Sequence, residues 1–186
     1  MASNKTPWQQ PETTAWLESI LQKDFYVFEY GSGASTIYFC EKVKWVSSVE
    51  NVKSWFDEVS RDIKKYNLLN IDYFFKPDSG DADPKFKNDP VDYSSTSGLF
   101  GGKNFEDYVK IIDIYPNETF DLVIVDGRSR VSCLKHAQDK VKVGGFVLLD
   151  DTDREDYKIG KNFYNESSKW EYKTLGNYSC IWKRLS

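Results

Sequence analysis

The stretch FEYGSGAST, residues 28 to 36, decides the fold of this chain because it joins two periodic segments through two closely spaced glycines. FYVFE (25–29) is a compact aromatic and β-branched run, which indicates a buried strand. ASTIYFCEK (34–42) is typical of a helix. Gly31 and Gly33 allow a tight turn and let ligand atoms approach the backbone closely. The pattern predicts a strand, a glycine loop and a helix that together cradle a ligand.

Strands and helices alternate along most of the chain. Further strands are predicted at 44–50, 70–75, 120–126 and 144–150, and helices at 11–23, 52–66 and 131–141. Such alternation requires a parallel sheet with helices on both faces. Near the end, segments 170–174 and 178–184 flank a turn at Leu175, Gly176 and Asn177, which predicts an antiparallel hairpin. We therefore predict an α/β fold with a mostly parallel seven-stranded sheet and a C-terminal antiparallel hairpin.

The 186 residues are enough for one domain, and we expect residues 1–186 to form it, with a helical extension at 1–24. Residues 76–104 contain three prolines, many Asp and Ser residues and adjacent glycines. A loop of this length is either a functional lid or a disordered surface insertion. Three aromatic residues in or next to it could cover a small ligand, namely Tyr93, Phe100 and Phe105. We expect a mobile lid that orders over a bound cofactor.

Composition excludes several classes of partner. Hydrophobic residues make up 40% of the chain, which predicts a packed core, and the net charge of −4 disfavours nucleic acid binding. Three widely spaced cysteines (Cys40, Cys133 and Cys180) form neither a disulfide framework nor a metal motif, so we expect a reducing, cytoplasmic setting. No apolar run is long enough to span a membrane, so we expect no membrane partner.

Glu29 precedes the glycine loop and indicates the charge of the ligand. A dinucleotide would place its pyrophosphate at this turn, where the carboxylate would repel it. A cationic group would instead be attracted. Thr36 also occupies the place of the third glycine in the dinucleotide motif. The loop therefore favours a cofactor with a positive end and no phosphates, although a Gly-x-Gly sequence also serves plain strand-to-helix turns.

Glu50 ends the second predicted strand, 21 residues after Glu29. At about this spacing an acid reaches the diol of a ribose, and its carboxylate can accept both hydroxyl groups. Glu50 also begins the next helix, where it would complement the helix dipole. The two roles are compatible, and the first indicates a nucleoside.

Together, EYGSGAST, VSSVEN, FDLVIVDGRSR and VGGFVLLDD resemble the class I S-adenosylmethionine-dependent methyltransferases over roughly residues 25 to 184. The resemblance implies a Rossmann-like three-layer sandwich and S-adenosyl-L-methionine as the cofactor. Ser35 departs from the family pattern, which often has a glycine there. The implied cofactor-binding residues are Glu29, Gly31, Ser32, Gly33, Ser35, Thr36, Glu50, Asn51 and Asp126.

Candidates for chemistry follow the fourth and fifth predicted strands. We expect Asp126 and Asp150 to be catalytic and Arg128 and Arg130 to bind the substrate, because arginine forks suit carboxylate or phosphate groups. The alternative for the arginines is a structural ion pair with nearby acids. His136, the only histidine, is expected to be a surface or packing residue, and Cys133 a small buried apolar residue.

A metal is the less favoured use of these acids. In the catechol-type O-methyltransferases, which the sequence resembles here, an Asp and an Asp-Asn pair bind a divalent metal such as Mg²⁺. Asp126, Asp150 and Asp151 take the matching positions, with Asp in place of Asn. We expect no metal, with Asp150 and Asp151 capping a helix that begins near Arg154.

The predicted function is O- or N-methyl transfer to a small molecule. Alternatives are a cofactor-binding module or partner subunit without catalysis, and aminopropyl transfer on the same fold. The pocket for the acceptor would be completed by the long loop, by the N-terminal helix or by a second subunit in a homodimer.

Overall fold

The computed structural model describes residues 10–83, 85, 92–96 and 98–186. Within them, one sheet holds the strands β1 (Tyr26–Tyr30), β2 (Trp45–Glu50), β3 (Ile71–Phe75), β4 (Phe120–Val125), β5 (Val141–Leu149), β6 (Trp170–Leu175) and β7 (Ser179–Arg184). The α-helices are α1 (Pro11–Ile20), α2 (Ala34–Lys42), α3 (Lys53–Lys65), α4 (Glu106–Val109), α5 (Arg130–Ala137) and α6 (Lys158–Asn165). Short 3₁₀ turns lie at Gly98–Phe100, Lys110–Ile114 and Glu155–Tyr157.

The strand order is β3-β2-β1-β4-β5-β7-β6, so β1 lies between β2 and β4. The first five strands of this order pair in parallel, and β7 runs antiparallel to both β5 and β6. The predicted fold, including the C-terminal hairpin, is confirmed. Because strand order reverses between β1 and β4, a crevice opens beside the carboxyl end of β1, where ligands bind in open α/β sheets.

The strand sequences place an apolar core on each face of the sheet. Phe28 and Tyr30 of β1 pack on one face with Trp182, while Val27 packs on the other with Leu17 of α1. Successive side chains of a strand point to opposite faces, and in β1 both sets are buried, as in a strand covered on both sides. The core therefore holds β1 rigidly and fixes the loop that follows it.

Several element boundaries differ from the prediction, and two helices illustrate the reasons. The helix predicted to reach residue 141 ends at Ala137, because Val141 already pairs with Phe120 in the sheet. Helix α6 follows the 3₁₀ turn Glu155–Tyr157, whereas the sequence indicated only a helix beginning near Arg154.

The segment 76–104 is hydrogen-bonded to itself where it is described. The Ala82 N–H donates to the carbonyl of Gly102 at 2.8 Å, and the Asn104 N–H donates to that of Gly80 at 2.9 Å. Phe105, which follows it, is fully buried in the core. Residues 84, 86–91 and 97, on which part of the lid prediction rests, lie outside the described residues. No described helix is long and apolar enough to cross a membrane.

Candidate ligand-binding cleft

A cleft of about 280 Å³ opens at the carboxyl ends of β1, β2 and β4, where the sequence placed the site. Its volume is near the lower end of the range for small-molecule sites, about 300–1,000 Å³. The residues that line it are Gly31, Ser32, Gly33, Ala34, Ser35, Glu50, Asn51, Val52, Trp55, Asp126, Gly127, Arg128 and Arg130. Most of the predicted cofactor residues are therefore brought together.

Two glycines let the loops after β1 and β4 touch. Gly31 has a φ of +91°, and a Cβ there would lie 2.7 Å from the carbonyl oxygen of Asp126. A Cβ on Gly127 would lie 1.9 Å from the hydroxyl of Tyr108. Neither position accepts a side chain without displacing backbone or a buried tyrosine. The glycine loop is therefore built for close packing as well as for access to a ligand.

Glu29 does not line the cleft. Its side chain is 1% exposed and accepts hydrogen bonds from the hydroxyls of Ser35, Thr36 and Ser48, the last two at 2.5 and 2.7 Å. Burial raises the pKa of this carboxyl to about 7, although the three hydroxyls oppose the shift. The carboxyl thus lies behind the glycine loop and holds it against β2, rather than facing a bound cation as the sequence argument placed it.

Thr36 is also behind the loop. Its side chain is fully buried, and its hydroxyl accepts a hydrogen bond from the Gly33 N–H at 3.0 Å while it donates to Glu29. The residue at the third position of the motif therefore fixes the loop from within. Ser32 and Ser35 do line the cleft.

Glu50 lies in the cleft, as predicted, with both carboxylate oxygens hydrogen-bonded. One oxygen accepts from the backbone N–H and the hydroxyl of Ser32, at 3.1 and 2.9 Å. The other accepts from the backbone N–H groups of Asn51 and Val52, each at 2.8 Å. The second pair satisfies N–H groups at the start of α3, so the helix role foreseen for Glu50 is present.

Asn51 carries a buried donor without a partner. Its side-chain amide nitrogen is inaccessible to solvent and has no hydrogen-bond partner among the described residues, and the residue lines the cleft. Leaving such a group unpaired costs about 1–3 kcal/mol. In this side-chain position the amide nitrogen is closed off from the cleft, so a ligand atom reaches it only after the Asn51 side chain rotates.

The acids after β4 and β5 surround Arg130. This arginine is 7% exposed, and its Nη2 lies 2.9 Å from a carboxylate oxygen of Asp126 and 3.3 Å from one of Asp151. Its other nitrogens donate to the carbonyls of Gly127 at 3.0 Å and of Asp150 at 2.8 Å. Arg130 has no nitrogen left for a substrate, so the contacts favour the structural ion pair over the predicted substrate-binding role.

Asp126 lines the cleft as expected. Partial burial raises the pKa of its carboxyl to about 6; Arg130 opposes this shift, while Asp150 and Asp151 add to it. A carboxyl that titrates near neutral pH suits a general base. Its side chain remains 37% exposed, on the cleft side.

Asp150 faces away from the cleft. Its carboxylate accepts a hydrogen bond from the Ser179 hydroxyl at 2.6 Å, and Ser179 in turn accepts one from Thr13 of α1 at 2.9 Å. A catalytic role for Asp150 has no support in these contacts, because its side chain connects β5 to β7. Among the described residues, no group of three Asp, Glu, His or Cys side chains is arranged to hold a metal ion.

Arg128 also lines the cleft, and its side chain is available there to a ligand. Its guanidinium lies 5.0 Å from the ring centre of Phe100, and no carboxylate within the described residues pairs with it. His136 lies elsewhere, with Nδ1 2.7 Å from Asp113, and Cys133 is fully buried in the core, so both expectations for these residues are confirmed.

The sequence did not single out Trp55. This residue lies in the first turn of α3, lines the cleft, and donates from its indole nitrogen to the carbonyl of Ser32 at 2.5 Å. Its position five residues after Glu50 was a usable signal, since a helix that begins beside the cleft turns its first residues toward it.

No protein-family model and no curated protein sequence matches the chain. Solved structures do resemble it over nearly its full length. A methyltransferase-like protein from Silicibacter pomeroyi is 18% identical, with a TM-score of 0.66 over 96% of this chain and 88% of its own. A candidate methyltransferase from Streptococcus mutans, solved in complex with SAH (S-adenosylhomocysteine), is 12% identical, with a TM-score of 0.65 over 95% and 99%.

An rRNA methylase from Streptococcus thermophilus is 11% identical, with a TM-score of 0.63 over 96% of this chain and 99% of its own. At such low identities the likeness concerns the fold. The chain has the fold of the class I methyltransferases, as the sequence motifs implied.

Proposed function

We propose that this protein binds S-adenosyl-L-methionine in the cleft and transfers its methyl group to an oxygen or nitrogen atom of a small molecule. The fold supports the proposal, since several proteins that share it are methyltransferases and one was solved with SAH. The single observation that carries it is the buried carboxylate of Glu50, which borders the cleft beside the glycine loop.

A nucleoside fits the side chains of Glu50 and Asn51. Its ribose presents hydroxyl donors to the carboxylate of Glu50, and its ring presents acceptor atoms to the amide nitrogen of Asn51 once that side chain rotates toward the cleft. Binding would satisfy a donor that the protein alone leaves unpaired, which is a specific source of affinity. Trp55 adds an apolar surface on the same side of the cleft.

A ribose hydroxyl can replace the Ser32 hydroxyl as a hydrogen-bond donor to Glu50. The Ser32 hydroxyl lies 2.9 Å from the Glu50 carboxylate and 2.7 Å from the hydroxyl of Tyr73. If a ribose hydroxyl took its place at Glu50, Ser32 would keep Tyr73 as a partner. The exchange leaves no buried polar group unpaired, so it costs little.

Asp126 is the proposed general base. When bound, S-adenosyl-L-methionine supplies an electrophilic methyl group, whose transfer to the acceptor releases a proton and leaves a neutral thioether. Asp126 lies on the cleft with a pKa of about 6, so its carboxylate is available at neutral pH to take that proton. Arg130 holds this carboxylate in place from behind, at 2.9 Å.

A second candidate function is methylation of RNA, because an rRNA methylase shares the fold over nearly its whole length. The net charge of −4 favours a small molecule over a polyanion. A cofactor-binding module without catalysis, or transfer of an aminopropyl group from the same site, would use the same residues for the nucleoside.

Calorimetric titration with SAH and with NAD tests cofactor binding. We expect SAH to bind with micromolar affinity, about −8 kcal/mol, and NAD to bind far more weakly. Asn51→Ala should weaken SAH binding by roughly 1–3 kcal/mol, while Asn117→Ala, an exposed residue far from the cleft along the chain, should leave it unchanged. Equal affinity of SAH for the Asn51 variant and the wild type would contradict the nucleoside site.

Catalysis needs a second experiment. The protein should transfer a labelled methyl group from S-adenosyl-L-methionine to compounds in a metabolite extract and not to total RNA. Binding of SAH without any transfer would favour the module, and transfer to RNA would favour the second candidate.

A further inference from the structure

A second, smaller cavity adjoins the cleft. Its volume is about 20 Å³, and Gly127, Arg128 and Arg130 border both spaces. On its far side it is lined by hydroxyl-bearing residues of two segments, namely Ser94, Ser95, Thr96, Ser129 and Ser132. We call it the hydroxyl cavity. Space for one water needs about 10–15 Å³, so it holds a group of a few atoms and no ring.

The hydroxyl cavity lies at the N-terminus of α5. The first hydrogen bond within this helix runs from the Cys133 N–H to the Ser129 carbonyl at 3.0 Å. The N–H groups of Arg130, Val131 and Ser132 therefore have no partner within the helix, and these three residues line the cavity. The side chain of Ser129 does not cap them, since its hydroxyl donates to the Tyr93 carbonyl at 2.5 Å.

Two buried hydroxyls provide independent evidence for a ligand. Ser95 and Ser132 are 3% and 2% exposed, and both line the cavity. Neither hydroxyl has a hydrogen-bond partner among the described residues, and each keeps a small accessible surface, which opens on the cavity that both residues line. Polar groups this deeply buried normally have partners. The part of the chain that the structure describes supplies no partner for the hydroxyls of Ser95 and Ser132.

Side chains of both charges line the hydroxyl cavity. Arg128, at the border with the cleft, has no ion pair within the described residues. Two carboxylates also line the cavity. Asp92 directs its oxygens at its own turn, where it accepts from the Ser94 N–H at 2.8 Å and the Ser94 hydroxyl at 2.9 Å, although these neutral donors supply no counter-charge. Asp156 is exposed to solvent, which screens its charge.

We propose that the hydroxyl cavity binds a carboxylate group of the methyl acceptor, an inference that rests on the proposed function. Free helix N–H groups and serine hydroxyls donate to the two oxygens, and Arg128 supplies the positive charge. The small volume favours a planar carboxylate over the bulkier phosphate group. A carboxylate held there directs the rest of the acceptor past Gly127 and Arg128 into the cleft, toward Asp126.

The test uses isotope-labelled protein saturated with SAH, titrated with acetate and followed by the amide NMR signals of Val131 and Ser132. We expect saturable shifts at both amides with acetate, and binding at least about tenfold weaker with the neutral isostere acetamide. Arg128→Gln should weaken acetate binding about tenfold, Ser132→Ala several-fold, and Arg61→Gln, on the exposed side of α3, should leave it unchanged.

Two results would overturn the inference. One is binding of SAH with no saturable response of the two amides to acetate. The other is an equal or stronger response to acetamide or to inorganic phosphate. Failure of SAH itself to bind would instead reject the proposed function, so the two failures are distinguishable.

Discussion

Two groups of carboxylates lie at the same edge of the sheet and are stabilised by different means. After β1 and β2, Glu29 and Glu50 accept hydrogen bonds from hydroxyl and backbone N–H groups, which carry no net charge. After β4 and β5, Asp126 and Asp151 share the guanidinium of Arg130. The first group shapes a loop, and the second connects two strand ends.

Neither kind of partner outweighs burial, because the pKa values of Glu29 and Asp126 are both raised. Glu29 accepts three hydroxyl donors, yet burial still raises its pKa to about 7. Asp126 titrates at about 6 with an arginine at 2.9 Å. Both Glu29 and Asp126 therefore change charge near neutral pH, and the β4 side depends in addition on the cation Arg130. The predictions below separate these two dependences.

The largest effect is expected for Arg130→Met. The substitution removes a buried cation and leaves Asp126 without its partner, while Asp151 keeps Arg154 at 2.6 Å. Breaking a buried pair in this way costs about 3–5 kcal/mol. Urea denaturation at neutral pH should show a loss of this size in the free energy of unfolding. Arg128→Met provides the control, since this arginine has no ion pair within the described residues and should change stability by less than about 0.5 kcal/mol. Equal losses for the two variants would mean that Arg130 is not the element that connects the strand ends.

The second-largest effect is expected for Glu29→Gln, in the pH dependence of the free energy of unfolding. The pKa of Glu29 rises from 4.5 in the unfolded chain to about 7 in the folded one, so the folded state holds this proton more tightly. Wild-type stability should therefore fall as pH rises from about 4.5 to about 7, and the glutamine variant lacks this loss. Between pH 5 and pH 8 the variant should gain about 2–3 kcal/mol in unfolding free energy relative to the wild type.

The measurement is urea denaturation of both proteins at several pH values. Glu18→Gln, on the exposed side of α1, is the control and should show no such trend. A difference between Glu29→Gln and the wild type that stays constant with pH would show that Glu29 remains charged when buried.

The sequence predicted the alternation of strands and helices and the place of the site for a clear physical reason. Alternating elements allow few topologies, and the glycine loop must follow the strand that borders the crevice. The direction in which an individual side chain points could not be predicted in this way. Glu29 is turned behind the loop by hydroxyls that include Ser48, which is 19 residues away in the chain. Such a partner is recognisable only after β1 and β2 are paired.

The same limit applies to the arginines and to one helix. The spacing in DGRSR left both an ion pair and a substrate role open, and only the position of β5 beside β4 assigns Arg130 to the ion pair. Helix α6 contains Gly160, which weakens its helical signal. A Cβ at Gly160 would lie 2.8 Å from the Leu134 side chain, so the glycine allows α6 to pack closely on α5.

The smallest effect on stability is expected for substitutions of two adjacent serines of β2. Ser48 donates to Glu29 at 2.7 Å, and Ser47 donates to the hydroxyl of Tyr115 at the same distance. Both serines are fully buried, so Ser48→Ala and Ser47→Ala remove similar groups. Burial raises the pKa of Tyr115 above its ordinary value, so the partner of Ser47 stays neutral across the range tested. The partner of Ser48 gains a charge near pH 7.

A hydrogen bond to a neutral group contributes about 1 kcal/mol and one to a charged group about 1.5–3 kcal/mol. Ser47→Ala should therefore cost about 1 kcal/mol at pH 5 and at pH 8. Ser48→Ala should cost about 1 kcal/mol at pH 5 and about 2 kcal/mol at pH 8, measured by urea denaturation. In the double variant Ser48→Ala/Glu29→Gln the extra cost of Ser48→Ala at pH 8 should disappear, because the glutamine side chain cannot become charged. Persistence of that cost in the double variant would show that the pH dependence has a source other than Glu29, and the contrast between the two carboxylate groups would then need another explanation.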